Sequence, residues 1–260
     1  MRDPITITQD DGIAKVILNR PSVFNALDHD MMEHFAHHLI ALGVDNNVRG
    51  VVISGEGKAF CVGGDLKWVS EFPLGPSVAF HTLSASFHQA ILEIRRMPKP
   101  VIAAINGIAA GGGFSLALAC DFRVMARSAT LKQAYTSNGL CIDGGGTFVL
   151  PRIVGLARAL EIAGFDASIS SEKALTWGLV TRVVDDGHAL EEAVNMAHEL
   201  SNRSLNSFGW SKQLLTDSFN TAFEAHIERE RLGLCSCAEH REGREGIKAF
   251  VDKRKAIFRS

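Results

Sequence analysis

Hydrophobic and polar residues alternate near the start of the chain in a way that predicts two paired strands. Residues 5–8 alternate with period two, and a second apolar run at residues 14–18 follows the polar turn at residues 10–12. A short Asp/Gly turn between two such runs is typical of a β-hairpin. From Asp28 onward the spacing changes, and a helix is predicted by apolar residues at i, i+4, i+8 and i+11: Met31, Phe35, Leu39 and Leu42.

Buried strands and helices then alternate through the middle of the chain. Short, continuous apolar runs predict strands at Gly50–Gly55, Val101–Ile105 and Phe122–Ala126. A long helix ending before the prolines at 98 and 100 is predicted by Phe80, Leu83, Phe87, Ile91 and Ile94. A second helix of small residues opens on the glycines at 111–113. This alternation predicts an α/β core.

Strand patterns nearly vanish after about residue 155. The one strand-like segment is 179–184, and helices with mixed charge are predicted over residues 188–202, 205–215, 222–232 and 239–258. No low-complexity linker separates the two parts. We therefore expect a core over residues 1–195 and a C-terminal helical region over residues 196–260 that packs on the core or on a neighbouring subunit.

Composition narrows the range of partners. The chain has 260 residues, of which 46% are hydrophobic and 22% charged, as in ordinary soluble globular proteins. A net charge of -2 gives no electrostatic reason to expect nucleic acid or an anionic membrane. Neither a membrane-length apolar run nor a signal-peptide pattern is present. Five cysteines without framework spacing suit a reducing compartment. We expect a cytoplasmic protein.

Two glycine turns follow predicted strands, at Gly63-Gly64 and at residues 111–113. A helix that opens on bare glycines exposes backbone N–H groups, which suit a phosphate or an oxyanion formed during a reaction. Lys58 is followed by Ala59 where a P-loop needs Ser or Thr, and no dinucleotide-binding fingerprint is present. Tight packing between helix and strand is the favoured explanation of each turn when it is considered alone.

Asp143 is the most informative single residue. Between Glu93 and Glu161 it is one of two acidic residues, and it stands after an apolar segment and before three glycines. A carboxylate in that setting is expected to be partly desolvated, and the glycines allow a substrate to approach closely. Asp143 is thus a candidate for handling a proton. The alternative is an N-cap for a helix that begins near Thr147, since Asp is a favoured capping residue.

Several segments together resemble the crotonase (enoyl-CoA hydratase/isomerase) superfamily. The central match runs through residues 99–113 and ends in Cys120-Asp121. The other matching segments, in the same order along the chain, are residues 19–21, 25–27, 59–66, 150–152, 174–180 and 241–254. The resemblance covers essentially the whole chain. It implies a spiral of ββα turns, with a helical C-terminal region that mediates trimerisation into a homotrimer or a dimer of trimers.

The resemblance also implies an acyl-CoA thioester ligand whose carbonyl oxygen sits between two donors. By position in the motif, these donors are the backbone N–H groups of Gly64 and Gly112. Polarising a thioester oxygen stabilises the enolate that forms when a neighbouring proton is removed. Coenzyme A arrives as part of the substrate, so no separate cofactor and no metal are expected.

The resemblance implies further contacts with coenzyme A at two segments that lie far apart in the sequence. The backbone of the 59–62 segment, with Ala59, Cys61 and Val62, is expected to face the adenine end. Phe250 and Lys253 match positions that touch the pantetheine and the phosphates in relatives.

The chain departs from the hydratase pattern at both catalytic glutamates, where it has Ser115 and Tyr135. Neither replaces a carboxylate base near neutral pH, although Ser115 could hydrogen-bond and Tyr135 could line the pocket. Asp143 occupies a third position from which relatives draw a carboxylate. The pattern is therefore most similar to Asp-dependent enoyl-CoA isomerases, in which one carboxylate moves one proton.

Other interpretations stay open. A related dehalogenase uses an Asp at this position as a nucleophile, with a His base at a position that aligns with Leu92 here. A hydratase-like enzyme, a thioester-hydrolysing enzyme and a non-catalytic binding protein are further alternatives. His88 could line the substrate channel, but the polar side of its helix is the favoured placement. His34, His37 and His38 have metal-like spacing, and a solvated helix face is favoured for them.

Overall fold

A computed structural model describes residues 3–259 of the chain. The strands in this range are β1 Ile5–Asp10, β2 Ile13–Leu18, β3 Gly50–Gly55, β4 Ala59–Cys61, β5 Val101–Ile105, β6 Ile108–Ala110, β7 Phe122–Ala126, β8 Thr130–Lys132, β9 Ile169–Ser170 and β10 Arg182–Val184. The helices are α1 His29–Val44, α2 Leu66–Ser70, α3 Pro76–Arg96, α4 Gly112–Ala119, α5 Gly146–Val154, α6 Leu156–Phe165, α7 Ser171–Thr176, α8 Ala189–Ser201, α9 Leu205–Asp217, α10 Phe223–Glu239 and α11 Arg241–Val251.

The strands form two sheets that are built turn by turn. Six strands pair in the order β1-β2-β3-β5-β7-β10, and four pair in the order β4-β6-β8-β9. Each successive pair, β3 with β4, β5 with β6 and β7 with β8, places one strand in each sheet, and a helix follows before the next pair. Strands from successive turns lie parallel within both sheets. The chain therefore winds as a spiral of ββα turns, which confirms the expected α/β fold.

The central strands of the larger sheet are buried on both faces. In β3, Val51 and Ile53 point into the main core, while Val52 points to the opposite face against Ala193 and Met196 of α8. The same alternation continues through β5 and β7. Burial on both faces explains why these strands appear in the sequence as continuous apolar runs.

Helix starts follow local chemistry. Asp28 caps α1, because its carboxylate accepts a hydrogen bond from the backbone N–H of Met31 at 2.9 Å. Pro76 opens α3, where its missing N–H costs nothing. Gly111 precedes α4 with φ of +54°, a conformation that favours glycine.

In the C-terminal half, the observed bounds of the strands and helices differ from the predicted ones. The strand expected over 179–184 is shortened to β10, and α10 continues to Glu239, beyond the predicted 222–232. The helix predicted over 239–258 is α11, which begins at Arg241 because His240 is extended and its side chain accepts a hydrogen bond from Glu242 N–H. The expected division at 195/196 falls inside α8, whose buried face packs on the larger sheet.

Among the described helices, none has the length and hydropathy to cross a membrane. Apolar side chains stand exposed along α10 and α11, among them Leu232, Leu234, Ile247 and Phe250. The trimer implied by the resemblance stays a prediction.

Candidate active site

The two glycine turns meet at the end of the second sheet. Gly63 follows β4, Gly111 follows β6, and β4 and β6 are parallel neighbours. An ideal Cβ at Gly63 would lie 2.8 Å from the nitrogen of Gly112 and 3.2 Å from Gly111 Cα. Gly63 also has φ of +90°. The close approach of the two turns therefore requires glycine at position 63.

Both expected donors have free N–H groups. Leu27 pairs with this turn through two backbone hydrogen bonds, from its own N–H to Gly63 O and from Asp65 N–H to its carbonyl, each 2.8 Å. This bridge uses the residues on either side of Gly64 and leaves the Gly64 N–H unpaired. Gly112 is the first residue of α4 and has no intrahelical partner for its N–H. Within residues 3–259, neither group has a backbone acceptor.

A cleft of about 250 Å³ joins these donors to Asp143. Its lining is mostly apolar and consists of Leu27, Gly64, Phe80, Leu83, Ser84, Phe87, Gly112, Tyr135, Leu140, Cys141 and Asp143. Gly64, Gly112 and Asp143, the three residues expected to be catalytic, thus share one cavity. Donors in such a partly dry site act more strongly on a developing negative charge than they do in water.

Asp143 does not cap the following helix. The residue at the N-cap of α5 is Gly145, in a left-handed conformation, and no side chain bonds to the first turn. The Asp143 carbonyl accepts a hydrogen bond from Gly146 N–H, which turns the chain and leaves the carboxylate directed into the cleft. The capping alternative is therefore wrong. The Asp143 side chain is 31% exposed, so its carboxylate is partly desolvated.

Two hydroxyl groups hold the Asp143 carboxylate. The Tyr135 hydroxyl donates a short hydrogen bond to Oδ1, and the Ser84 hydroxyl donates to Oδ2 at 3.1 Å. Burial, together with the negative charge of Asp143, raises the pKa of Tyr135 well above its ordinary value. Tyr135 is therefore a protonated donor, and it lines the cleft as expected. Ser84 was missed from the sequence, because its partner lies 59 residues away.

His88 stands beside the carboxylate, contrary to the favoured sequence interpretation. Its Nε2 lies 3.8 Å from Asp143 Oδ2 and accepts a hydrogen bond from the Gly144 N–H at 3.3 Å. This bond uses the Nε2 lone pair, so that nitrogen faces the loop that carries Asp143 as an acceptor. The position expected for a His base was Leu92, and the structure places an imidazole one helical turn earlier.

Ser115 lies behind the loop of residues 143–146, which carries Asp143, and is absent from the cleft lining. It is buried, with 1% of its surface exposed, and an ideal Cβ at Gly146 would lie 2.7 Å from its hydroxyl oxygen. The hydroxyl is near enough to Tyr135 to lower the tyrosine pKa slightly against the larger effect of burial. It has no well-oriented hydrogen-bond partner among the described residues. Contact between Ser115 and substrate, as the resemblance implied, would require this loop to move.

The residues expected to bind coenzyme A fall into two groups. Ala59 and Cys61 are fully buried and Val62 is half-buried, so the 59–62 segment offers mainly its backbone to a ligand. Burial raises the pKa of the Cys61 thiol to about 12, which suits a small core residue. Phe250, 85% exposed, and Lys253 lie at the end of α11 and are not part of the cleft lining.

Between residues 3 and 259, no group of three or more His, Cys, Asp or Glu side chains is placed to hold a metal ion.

Comparison with known proteins connects this geometry to an enzyme family. Residues 8–260 match the family model described as enoyl-CoA hydratase/isomerase. The chain is 33% identical over 248 residues to 1,2-epoxyphenylacetyl-CoA isomerase of Escherichia coli K12, which covers 95% of each protein. It is 31% identical to 4-chlorobenzoyl coenzyme A dehalogenase-1 of an Arthrobacter species, over 96% of this chain and 91% of the relative. A crystal structure of an enoyl-CoA hydratase from Polaromonas sp. JS666 superposes with a TM-score of 0.93 at 36% identity, covering 98% of this chain and 99% of that one.

Proposed function

Because the chain belongs to the enoyl-CoA hydratase/isomerase family, we propose that it moves a carbon–carbon double bond along an acyl-CoA thioester, with Asp143 as its single proton carrier. The thioester oxygen lies between the N–H groups of Gly64 and Gly112. The Asp143 carboxylate removes a proton from the carbon between the double bond and the thioester. The electron pair moves onto the oxygen as a dienolate, and the same carboxyl group returns the proton two carbons away.

The proposal rests on the polar groups that line the cleft. Among its lining residues, Asp143 is the one carboxylate, and the two unpaired N–H groups lie in the same cavity. Addition of water needs one group to activate water and another to protonate carbon. The nearest hydroxyls, Tyr135 and Ser84, both donate to Asp143. Their use as donors favours migration of a double bond over hydration.

Replacement of Asp143 by Asn tests the proposal. Conversion of a 3-enoyl-CoA to the conjugated 2-enoyl-CoA is followed by ultraviolet absorbance, and kcat should fall by ~10²–10⁴. Cys141→Ser, which alters the same cleft without touching the carboxylate, should stay near wild type. Unchanged turnover in Asp143→Asn would refute the proposal. Chromatography of the products separates the alternatives: 3-hydroxyacyl-CoA indicates a hydratase, free CoA indicates thioester cleavage, and tight CoA binding without conversion indicates a binding protein.

A second candidate function follows from His88. With the His88 imidazole nitrogen 3.8 Å from Asp143, the site also contains the pair that nucleophilic aromatic substitution needs. In that reaction the Asp143 carboxylate attacks a ring carbon and displaces chloride, forming an aryl ester. Water deprotonated by His88 then attacks the ester carbonyl, which releases the hydroxylated ring and restores the carboxylate. The similarity to a dehalogenase at 31% identity supports testing this chemistry.

His88→Gln distinguishes the two functions. A dehalogenase with this change should release one equivalent of chloride from 4-chlorobenzoyl-CoA and stall with an aryl group on Asp143, detected by mass spectrometry of the intact protein. An isomerase should retain most of its turnover, because its proton carrier is Asp143 alone. Absence of chloride release from the wild-type protein would exclude the second candidate.

A further inference from the structure

A second cavity, of about 390 Å³, borders the catalytic cleft along α3 and α5. It is lined by His88, Ile91, Leu92, Arg95, Gly144, Gly145, Phe148 and Val149. The two cavities are adjacent because Asp143 and Phe87 line the cleft, whereas the residues that directly follow them, Gly144 and His88, line the second cavity. The two cavities therefore border each other at His88 and Gly144, and the second one is mostly apolar.

Helix α3 arranges the polar groups of both cavities in one row. Ser84, His88 and Leu92 are spaced by four residues, and Arg95 follows three residues later, so all four share a helix face. At 1.5 Å of rise per residue, Arg95 lies ~10 Å beyond His88 along the helix axis. The row runs from the hydroxyl that holds Asp143, past the imidazole and an apolar stretch, to a guanidinium group.

Arg95 has no anionic partner in the described part of the chain. Its guanidinium lies 5.3 Å from the centroid of the Phe148 ring, and Arg152 stacks on the same ring at 3.5 Å. Among residues 3–259, no carboxylate lies within ion-pair distance of either arginine, and Arg95 makes no side-chain hydrogen bond. The half-buried Arg95 is held by a ring contact alone.

The carboxylates nearest to Arg95 already have cations of their own. Asp217 pairs with Arg229 at 2.7 Å, and Asp121 pairs with Lys212 at 2.8 Å. Their charges partly offset the effect of burial, which lowers the pKa of Arg95. A larger cavity of about 540 Å³ between α3 and α9 reaches Arg95 from its other side. The far end of the row therefore carries unmatched positive charge.

We propose that Arg95 binds a carboxylate at the far end of the acyl chain, so that the substrate of this site is an acyl-CoA whose chain ends in a carboxylate. The inference rests on the function proposed above, because it concerns the substrate of the same cleft. Because an extended carbon chain zigzags, each bond advances it by only ~1.3 Å, so the ~10 Å rise of the helix from His88 to Arg95 corresponds to roughly eight bonds. A guanidinium group binds a carboxylate through two parallel hydrogen bonds. An apolar channel leading to it favours a hydrocarbon chain between the thioester and that carboxylate.

Binding tests the inference without any turnover. Two saturated acyl-CoA thioesters of equal length, one ending in a methyl group and one in a carboxylate, are titrated into the full chain by calorimetry. Wild type should favour the carboxylate-ended ligand, and Arg95→Gln should lower that preference by ~10- to 100-fold while leaving the methyl-ended ligand unchanged. Arg95→Lys should lose less of the preference for the carboxylate-ended ligand. Arg96→Gln is the matched control on the neighbouring residue and should keep the preference.

The outcomes separate this inference from the proposed function. Equal affinities of wild type for the two ligands, or an equal loss for both in Arg95→Gln, would overturn the role of Arg95. The corresponding 3-enoyl thioesters are then assayed for isomerisation. Isomerisation without any preference between chain ends refutes the inference and leaves the function intact. A preference in binding that is lost in Arg95→Gln supports the inference even where no isomerisation is found, in which case only the function fails.

Discussion

Removal of the Tyr135 hydroxyl tests how the catalytic carboxylate is held. The Tyr135→Phe variant keeps the ring in the cleft and deletes the donor to Asp143 Oδ1. Two opposing effects follow, because a carboxylate with fewer donors is a stronger base but is less well oriented. We expect orientation to dominate, since small displacements of a reacting group cost large factors in rate. The variant should therefore isomerise more slowly.

The magnitude follows from the geometry of each donor. Tyr135 is 8% exposed and donates to a charged acceptor, and such a bond is worth ~2 kcal/mol, or ~30-fold in kcat. Ser84 donates over 3.1 Å and borders the open cleft, so Ser84→Ala should cost ~1 kcal/mol, or ~5-fold. Because both donors act on one carboxylate, their effects on kcat should not be independent. The loss of kcat in the double variant should therefore differ from the product of the two single losses.

The assay is the initial rate of formation of conjugated 2-enoyl-CoA, with kcat and KM determined separately for the four proteins. We expect kcat to fall with little change in KM, because neither hydroxyl is needed to bind the thioester. Circular dichroism and thermal unfolding show whether each variant keeps its fold. A kcat for Tyr135→Phe equal to or above wild type would refute the argument that the hydroxyl orients Asp143.

Three further predictions concern stability and reactivity. Gly63→Ala should lower the free energy of unfolding by ~1–3 kcal/mol in urea titrations, because its Cβ meets the Gly112 turn and its φ is positive. Lys212→Met should cost ~3–5 kcal/mol by leaving the Asp121 carboxylate, whose side chain is only 14% exposed, without its ion-pair partner. Burial already raises the pKa of Asp121, so this loss should shrink as the pH falls and the carboxyl group takes up a proton. Iodoacetamide should label the exposed Cys141 and spare Cys61, whose pKa is raised to about 12 by burial.

Each of these predictions has a matched control. Gly64→Ala places its Cβ 3.7 Å from Leu83, an ordinary contact, and should unfold near wild type; equal losses at positions 63 and 64 would contradict the packing argument. For Lys212, the double variant with Asp121→Asn should regain part of the stability, and a single variant as stable as wild type would show that the pair is not needed. For labelling, the exposed Cys235 lies outside the cleft. Added acyl-CoA should protect Cys141 and not Cys235, and equal protection would contradict the placement of the cleft.

Much of the fold could be predicted because its signals are local. The strands at Gly50–Gly55, Val101–Ile105 and Phe122–Ala126 were predicted with their observed bounds, since short apolar runs depend on neighbouring residues alone. The cap of α1 at Asp28 is local in the same way. The break at His240 was missed, because a continuous helical pattern across residues 239–258 gives no local sign of an extended residue.

In the candidate site, too, local features could be predicted from the sequence and long-range contacts could not. The sequence by itself determined which chemistry is present: two glycine turns, no glutamate at positions 115 and 135, and one carboxylate at Asp143. Only the tertiary structure decided that Asp143 faces the cleft and does not cap α5, that Ser84 and His88 lie against it, and that Ser115 lies behind it. The physical reason is distance along the chain. Periodicity and capping signals act within a turn or two of helix, whereas the partners of Asp143 on α3 lie 55 residues or more away and meet it only through the packing of α3 against the α5 loop.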